Sequence, residues 1–126
     1  MMIEVTTLGA GSIRLGIYSD GDSIIPTTRV LDAGTVDVSS TGFKEITSLS
    51  QALTANTLYW LALVSDIAVV LRGFASTAWN PIGMPNTTVS SGYVYRVAFN
   101  YAALPNPFTT GASITAQNVL AIGVGF

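Results

Sequence analysis

Residues 57–72, TLYWLALVSDIAVVLR, constrain the fold more than any other stretch of the chain. Two dense apolar runs, 58–64 and 67–71, meet at Ser65-Asp66, and neither shows a polar face at any period. A segment apolar on both faces is a covered strand or part of a buried helix, and length and residue type must separate the two. Each run has strand length, and Tyr59, Trp60, Val64, Ile67, Val69 and Val70 favour a pleated surface. Ser65-Asp66 offers a tight connection. The stretch therefore reads as a hairpin at the centre of an all-β fold.

The flanking sequence supports that class. In residues 2–7, Ile3 and Val5 alternate with Glu4 and Thr6, and the paired glycines of 8–11 mark a turn. Residues 12–19 alternate cleanly, with Ile13, Leu15 and Ile17 on a core face and Arg14, Gly16 and Tyr18 on a face toward solvent or a partner. A loop over 20–28 leads to a short strand at 29–31, closed by Asp32-Ala33-Gly34. Residues 35–39 point Val36 and Val38 inward, Ser40-Thr41-Gly42 ends that strand, and 43–49 continue the pattern less regularly. Beyond the apolar centre, 75–91 form the one long irregular segment, rich in Pro and Gly yet holding Trp79, Ile82, Met84 and Val89, which predicts a packed loop. Residues 92–101 read as a strand with Tyr93, Tyr95, Val97, Phe99 and Tyr101 on its core face. Two prolines make 102–111 an extended connection, and the apolar 113–126 should dock as a strand. Turn signals every 8–12 residues or so are those of a sandwich or barrel of short strands. No stretch carries three turns of helical periodicity.

Composition narrows the function. At 126 residues the chain fits one domain able to bury a core without disulfides, and it has no Cys. Charged residues are 10% of the chain, against roughly 25% in an average soluble domain, so the surface is dry. Arg14, Arg29, Lys44, Arg72 and Arg96 are scattered and the net charge is -2, which argues against nucleic acid as a partner. The longest apolar candidate, 58–71, is broken at Ser65-Asp66 and falls short of the roughly 20 residues of a membrane-spanning helix. The amino terminus, Met1-Met2-Ile3-Glu4-Val5, has no basic region ahead of an apolar one, so no signal peptide is expected. The doubled Met running into a strand suggests a module or fragment of a larger protein.

Chemistry is sparse. Without His or Cys, the commonest general base, thiolate nucleophile and soft metal ligands are missing, and no enzyme activity or cofactor is expected. A glycosidase would need two of Glu4, Asp20, Asp22, Asp32, Asp37, Glu45 and Asp66 facing each other, and most of these fall in turns or on polar strand faces. Asp20-Gly21-Asp22-Ser23 spaces oxygen ligands like a calcium loop but lacks the remaining acids, so a turn is the expected reading and no metal site is assigned. Asn86-Thr87-Thr88 matches a glycosylation acceptor that lacks a secretory context. Trp79, Asn80 and Tyr93, around the long loop, are the candidate ligand-binding residues, since aromatic faces beside an amide can stack on a sugar ring. The alternative is that Trp79 and Tyr93 pin the loop to the body.

Three stretches together resemble a family. RLGIYSD at 14–20, DAGTV at 32–36 and LTANTLYWLAL at 53–63 are similar to the "RLGIYSD … DAGTV … LTxGxYWLAL" pattern of small β-sandwich modules in tailed-bacteriophage tail, tail-fibre and other virion structural proteins. Residues 72–74 and 95–99 add to the likeness. Where those modules carry Gly before Tyr-Trp, this chain has Ala55-Asn56, and Asn tolerates the left-handed conformation such a turn requires. The resemblance implies a jelly-roll-like antiparallel β-sandwich in a non-enzymatic virion component, a tail-fibre head or a capsid or tail decoration. Its implied partners are other copies of itself, with a trimer expected, other virion proteins and host-surface glycans. A similar rhythm in secreted bacterial domains supplies the alternative, a carbohydrate-binding or adhesion module.

Overall fold

A computed structural model describes residues 1–22, 24–74, 93–116 and 119–124. Among them the regular structure is all strand, and every strand pairing is antiparallel. In one sheet, β1 (Met2–Thr7) lies between β4 (Gly42–Glu45) and β6 (Val70–Leu71). In the other, β2 (Ser12–Asp20) lies between β3 (Pro26–Asp37) and β5 (Tyr59–Ser65). Two short ribbons pair β7 (Gly73–Phe74) with β10 (Val119–Leu120) and β8 (Tyr93–Arg96) with β9 (Ser113–Ala116).

The two three-stranded sheets share one hydrophobic cluster. Ile3 and Val5 enter it from β1 and Ile13, Leu15 and Ile17 from β2, all almost wholly removed from water, together with Met1 and Val38. Both sets are the alternating apolar residues of their strands, because a period of two sends every second side chain to one face. Of the two valines expected to point inward, Val38 is fully buried and Val36 is half-buried against the cluster.

The apolar stretch 57–72 is not a hairpin, and it is not the centre. Its first run becomes β5, an edge of the β3-β2-β5 sheet, while its second crosses to the other sheet, where Leu71 pairs with Val5 and Val70 with Thr7. The corner residues redirect the chain. Asp66 Oδ1 accepts the Ser12 N–H at 2.7 Å, the Asp66 N–H reaches the Ser12 carbonyl at 3.2 Å, and the Ser65 hydroxyl donates to the Ile67 carbonyl at 2.7 Å. Bonds that tie the corner to the start of β2 replace those a hairpin turn would make across itself. Past the corner, Val69 and Leu71 turn to the core while Val70 and Arg72 face outward. The central, fully covered strand is β2.

Two further expectations change. The predicted break at Asp32-Ala33-Gly34 is a bulge inside one continuous strand: Leu15 pairs with Gly34 and Gly16 with Asp32, leaving Ala33 as the extra residue. Gly34 takes φ 93°, and its N–H is bound by Asp32 Oδ1 at 3.2 Å, so the Asx-type signal produces a kink that stays in the ladder. The other face of β2 meets neither solvent nor a partner chain at Gly16 and Tyr18. Residues 104–108 run across it as a strap, with Leu104 over Gly16 and Phe108 edge-on to the Tyr18 ring at a centroid distance of 5.1 Å. The segment with the two prolines is outside any ladder, but it bends at 106–107, where the Asn106-Pro107 bond is cis, so it is not the extended connection predicted.

Gly16 is where the strap comes closest. A Cβ there would lie 2.3 Å from Leu104 Cδ1 and 2.5 Å from the Leu31 carbonyl oxygen, and the second of these is backbone that cannot swing aside. Gly16→Ala should therefore lower stability by about 1–3 kcal/mol, the usual cost of overpacking, when a strand-interior glycine would otherwise gain from Ala. A urea denaturation midpoint equal to or above that of the native chain would show that the strap does not press on this strand.

Smaller elements divide the same way. Asn56 adopts φ 58°, the left-handed turn expected of it before Tyr59-Trp60. Among the described residues of the predicted 92–101 strand, 93–96 are in a ladder, and the alternation holds beyond Val94, which is half-buried: Tyr95, Val97, Phe99 and Tyr101 are half-buried while Arg96, Ala98 and Asn100 are exposed. Near the carboxyl end, β9 and β10 and a bridge between Gly123 and Met2 replace the single predicted strand, and the Gly123 N–H donates to the Met2 carbonyl at 2.8 Å.

Candidate interaction surfaces

Of the three residues singled out from sequence as ligand-binding, Trp79 and Asn80 lie outside the described residues, as does Asn86 of the glycosylation pattern. Tyr93 is placed by its backbone, which opens β8 opposite Ala116. Two residues further along that strand, Tyr95 meets an aromatic that sequence reading assigned to the central strand alone. Trp60, on β5, sits directly across from Tyr18 on β2, and Tyr95 approaches its ring edge-on at 5.2 Å and 86°. The Trp60 indole N–H donates to Asp20 Oδ1 at 2.7 Å. The grouping was hidden because Trp60 and Asp20 are 40 residues apart and only the β2-β5 register brings them together. Both rings are half-buried, so each offers a contact only part of its surface.

That same bond accounts for the Asp20-Gly21-Asp22 stretch. The Asp20 carboxylate holds the indole, and the Gly21 N–H closes the loop on the Ile25 carbonyl at 2.8 Å. Of the predicted turn, Asp22 is in a turn and Ser23 lies outside the described residues.

The densest polar cluster on the outer face of β2 belongs to the strap. Asp32 accepts from Arg14 Nη1 at 2.8 Å and from the Leu104 N–H at 3.2 Å, and Arg29 Nη1 stands 3.9 Å from its other oxygen. Arg29 also donates to the Leu104 carbonyl, its N–H to Asn106 Oδ1 at 3.1 Å, and the Tyr18 hydroxyl to the Pro105 carbonyl at 2.6 Å. Burial alone would push the Asp32 carboxyl upward. The hydrogen bonds from Arg14, Gly34 and Leu104 and the Arg14 charge outweigh it and leave the carboxyl below its ordinary value of 3.8. Burial raises the Tyr18 phenol, which keeps its proton for the Pro105 bond. These charges are spent on holding residues 104–108, and their chemistry is that of a clasp.

A depressed carboxyl contributes stability that is complete above its unfolded value and is lost as pH falls through the folded one. Asp32→Asn should cost about 1–2 kcal/mol at neutral pH, with the gap to the native chain closing as the pH is lowered through about 4 and below. A gap that stays constant from pH 7 to pH 3 would show that the Asp32 charge does not hold the strap.

The outer face of the β4-β1-β6 sheet is different in kind. Phe43 lies directly opposite Glu4 and is 71% exposed, with Met2 at 40% and Val70 at 54% on the same face. Between them Arg72 makes a two-pronged ion pair with Glu4, both bonds 3.1 Å. A groove of about 300 Å³ on this side is lined by Phe43 itself with Met2, Glu4, Arg72 and residues 121–123. A second, more open concavity of about 400 Å³ lies against residues 96–99 and Ser113. Sequence reading placed the candidate contacts at Trp79, Asn80 and Tyr93. It did not find Phe43, which stands in a stretch with weaker alternation.

The chain matches no protein-family model, no curated protein and no solved structure.

Proposed function

We propose that the chain is a non-enzymatic structural part of a tailed-bacteriophage virion, a tail-fibre head or a capsid or tail decoration, built as a jelly-roll-like β-sandwich and used for its surfaces. The observation that carries this reading is where the family-like stretches fall. RLGIYSD, DAGTV and the LTANTLYWLAL stretch contribute to the three strands of one sheet, β2, β3 and β5, with the Ala33 bulge inside the second motif and the Asn56 turn inside the third. Their spacing thus belongs to one structural unit instead of three scattered likenesses.

The placement of the carboxylates supports a role without catalysis. Of the seven in the chain, Glu4, Asp20, Asp32, Asp37 and Asp66 each accept hydrogen bonds inside the fold, from Arg72, Trp60, Arg14, Ser39 and Ser12 respectively. At Glu4, Asp32 and Asp37 these bonds hold the carboxyl below its ordinary value, away from the near-neutral pKa that suits a general base. Symmetric association is the usual mode of such parts, and copies of the chain, other virion proteins and host-surface glycans are its proposed partners.

Locating the chain tests the reading directly. Density for this fold in an intact particle is the expected result, and a gene neighbourhood with a secretion signal and a hydrolase domain upstream, in place of tail or portal genes, would overturn it. A glycan array separates the role of attachment from that of decoration. Binding lost on Trp79→Ala or Tyr93→Ala is the outcome expected of an attachment part.

A further inference from the structure

We infer that the outer face of the β4-β1-β6 sheet is a two-fold contact between copies of this chain, with Phe43 of each copy seated in the groove beside Phe43 of the other. The inference rests on the surface-bearing role proposed above and names the surface and its partner.

Three observations on that face point to a second copy. The first is the projection and the recess lying side by side. Phe43 stands 71% exposed and itself lines a groove of about 300 Å³ together with Met2, Glu4, Arg72 and residues 121–123. A surface that carries both a knob and its hole is its own complement under a two-fold rotation, in which residue i of one copy meets residue j of the other and the reverse. The second is charge. Glu4 and Arg72 lie next to each other at the middle of the face, and the Arg72 side chain keeps 59% of its surface exposed. A two-fold axis passing between them sets the Glu4 of one copy against the Arg72 of the other, so each ion pair meets its own complement and no like charges are brought together. The third is the apolar border. Met2, Phe43 and Val70 surround this pair, an apolar patch with a polar centre on a chain that is only 10% charged.

Groups on one face can meet across a two-fold only in pairs, so this contact yields dimers, whereas a trimer would use two different faces. Sedimentation equilibrium of the full chain tests it, since the protomer mass is 13.2 kDa and the dimer is twice that. The expected result is a monomer–dimer equilibrium whose dissociation constant rises at least tenfold in Phe43→Asp, and also in the milder Phe43→Ser, with the circular dichroism of both unchanged. Phe43 is mostly in water, so neither variant should disturb the core. A second expectation concerns charge: Arg72→Glu, which puts acid against acid across the axis, should weaken the dimer, and mixing it in equal amounts with Glu4→Arg should restore association as a heterodimer. A trimer, or a dimer indifferent to both Phe43 variants, overturns this contact and leaves the virion reading standing. A chain that stays monomeric at concentrations of tens of micromolar overturns the contact and, with it, self-association as part of that reading. Failure to find the chain in particles, with the dimer intact, sinks the virion role alone.

Discussion

Tyr18→Ala should reduce the unfolding free energy by about 3–5 kcal/mol, the range for removing a large buried aromatic. Tyr18 is fully buried although it lies on the face of β2 away from the main cluster. What buries it is the strap, through the Phe108 ring at 5.1 Å and the Pro105 carbonyl at 2.6 Å from its hydroxyl. Truncation leaves a void under the strap and strands that carbonyl. Tyr18→Phe separates the two contributions: it keeps the ring packing, gives up only the hydrogen bond, and should cost about 1–2 kcal/mol. Urea denaturation of the three proteins, read at a constant m value, measures both. A loss below about 1 kcal/mol in Tyr18→Ala would mean that residues 104–108 rest on the sheet without stabilising it.

The second large effect is expected at Leu15, where Ala should cost about 2–5 kcal/mol. Leu15 has no exposed surface and stands at the middle of β2, between Gly34 on β3 and Leu63 on β5. The comparison that gives this result its meaning is Leu61→Ala on β5. Leu61 is 37% exposed on an edge strand and should lose markedly less. If the order were reversed, the stretch 57–72 would be the core of the fold after all and β2 its periphery.

These two residues mark how far the sequence alone can be read. Leu15 was legible because the alternation of Ile13, Leu15 and Ile17 with Arg14, Gly16 and Tyr18 is contained in one strand. The same strand misled at Tyr18. A polar or mixed face is compatible with solvent, a partner or another part of the chain, and the covering residue Leu104 is bound to Asp32 across 72 positions of sequence. The reading of 57–72 failed for a related reason: two apolar runs of strand length around a Ser-Asp corner suit a hairpin and a crossover equally well, and the bonds that chose the crossover go to Ser12, 54 residues away. The Trp60–Asp20 pair and Phe43 were passed over because partners on other strands give them their setting.

By itself, the sequence determined that this chain is built of strands, which side chains of β1 and β2 turn inward, and that Asn56 supports a left-handed turn. These are consequences of side-chain period and of local backbone preference, which act over a few residues. Only the tertiary structure decided which strand is central, how the apolar run is shared between two sheets, what closes the back of β2, and that Phe43 and the Glu4–Arg72 pair stand together on one face. Each of those depends on pairings between distant segments, whose energies are set by register and by what is left to cover, and no local pattern encodes them.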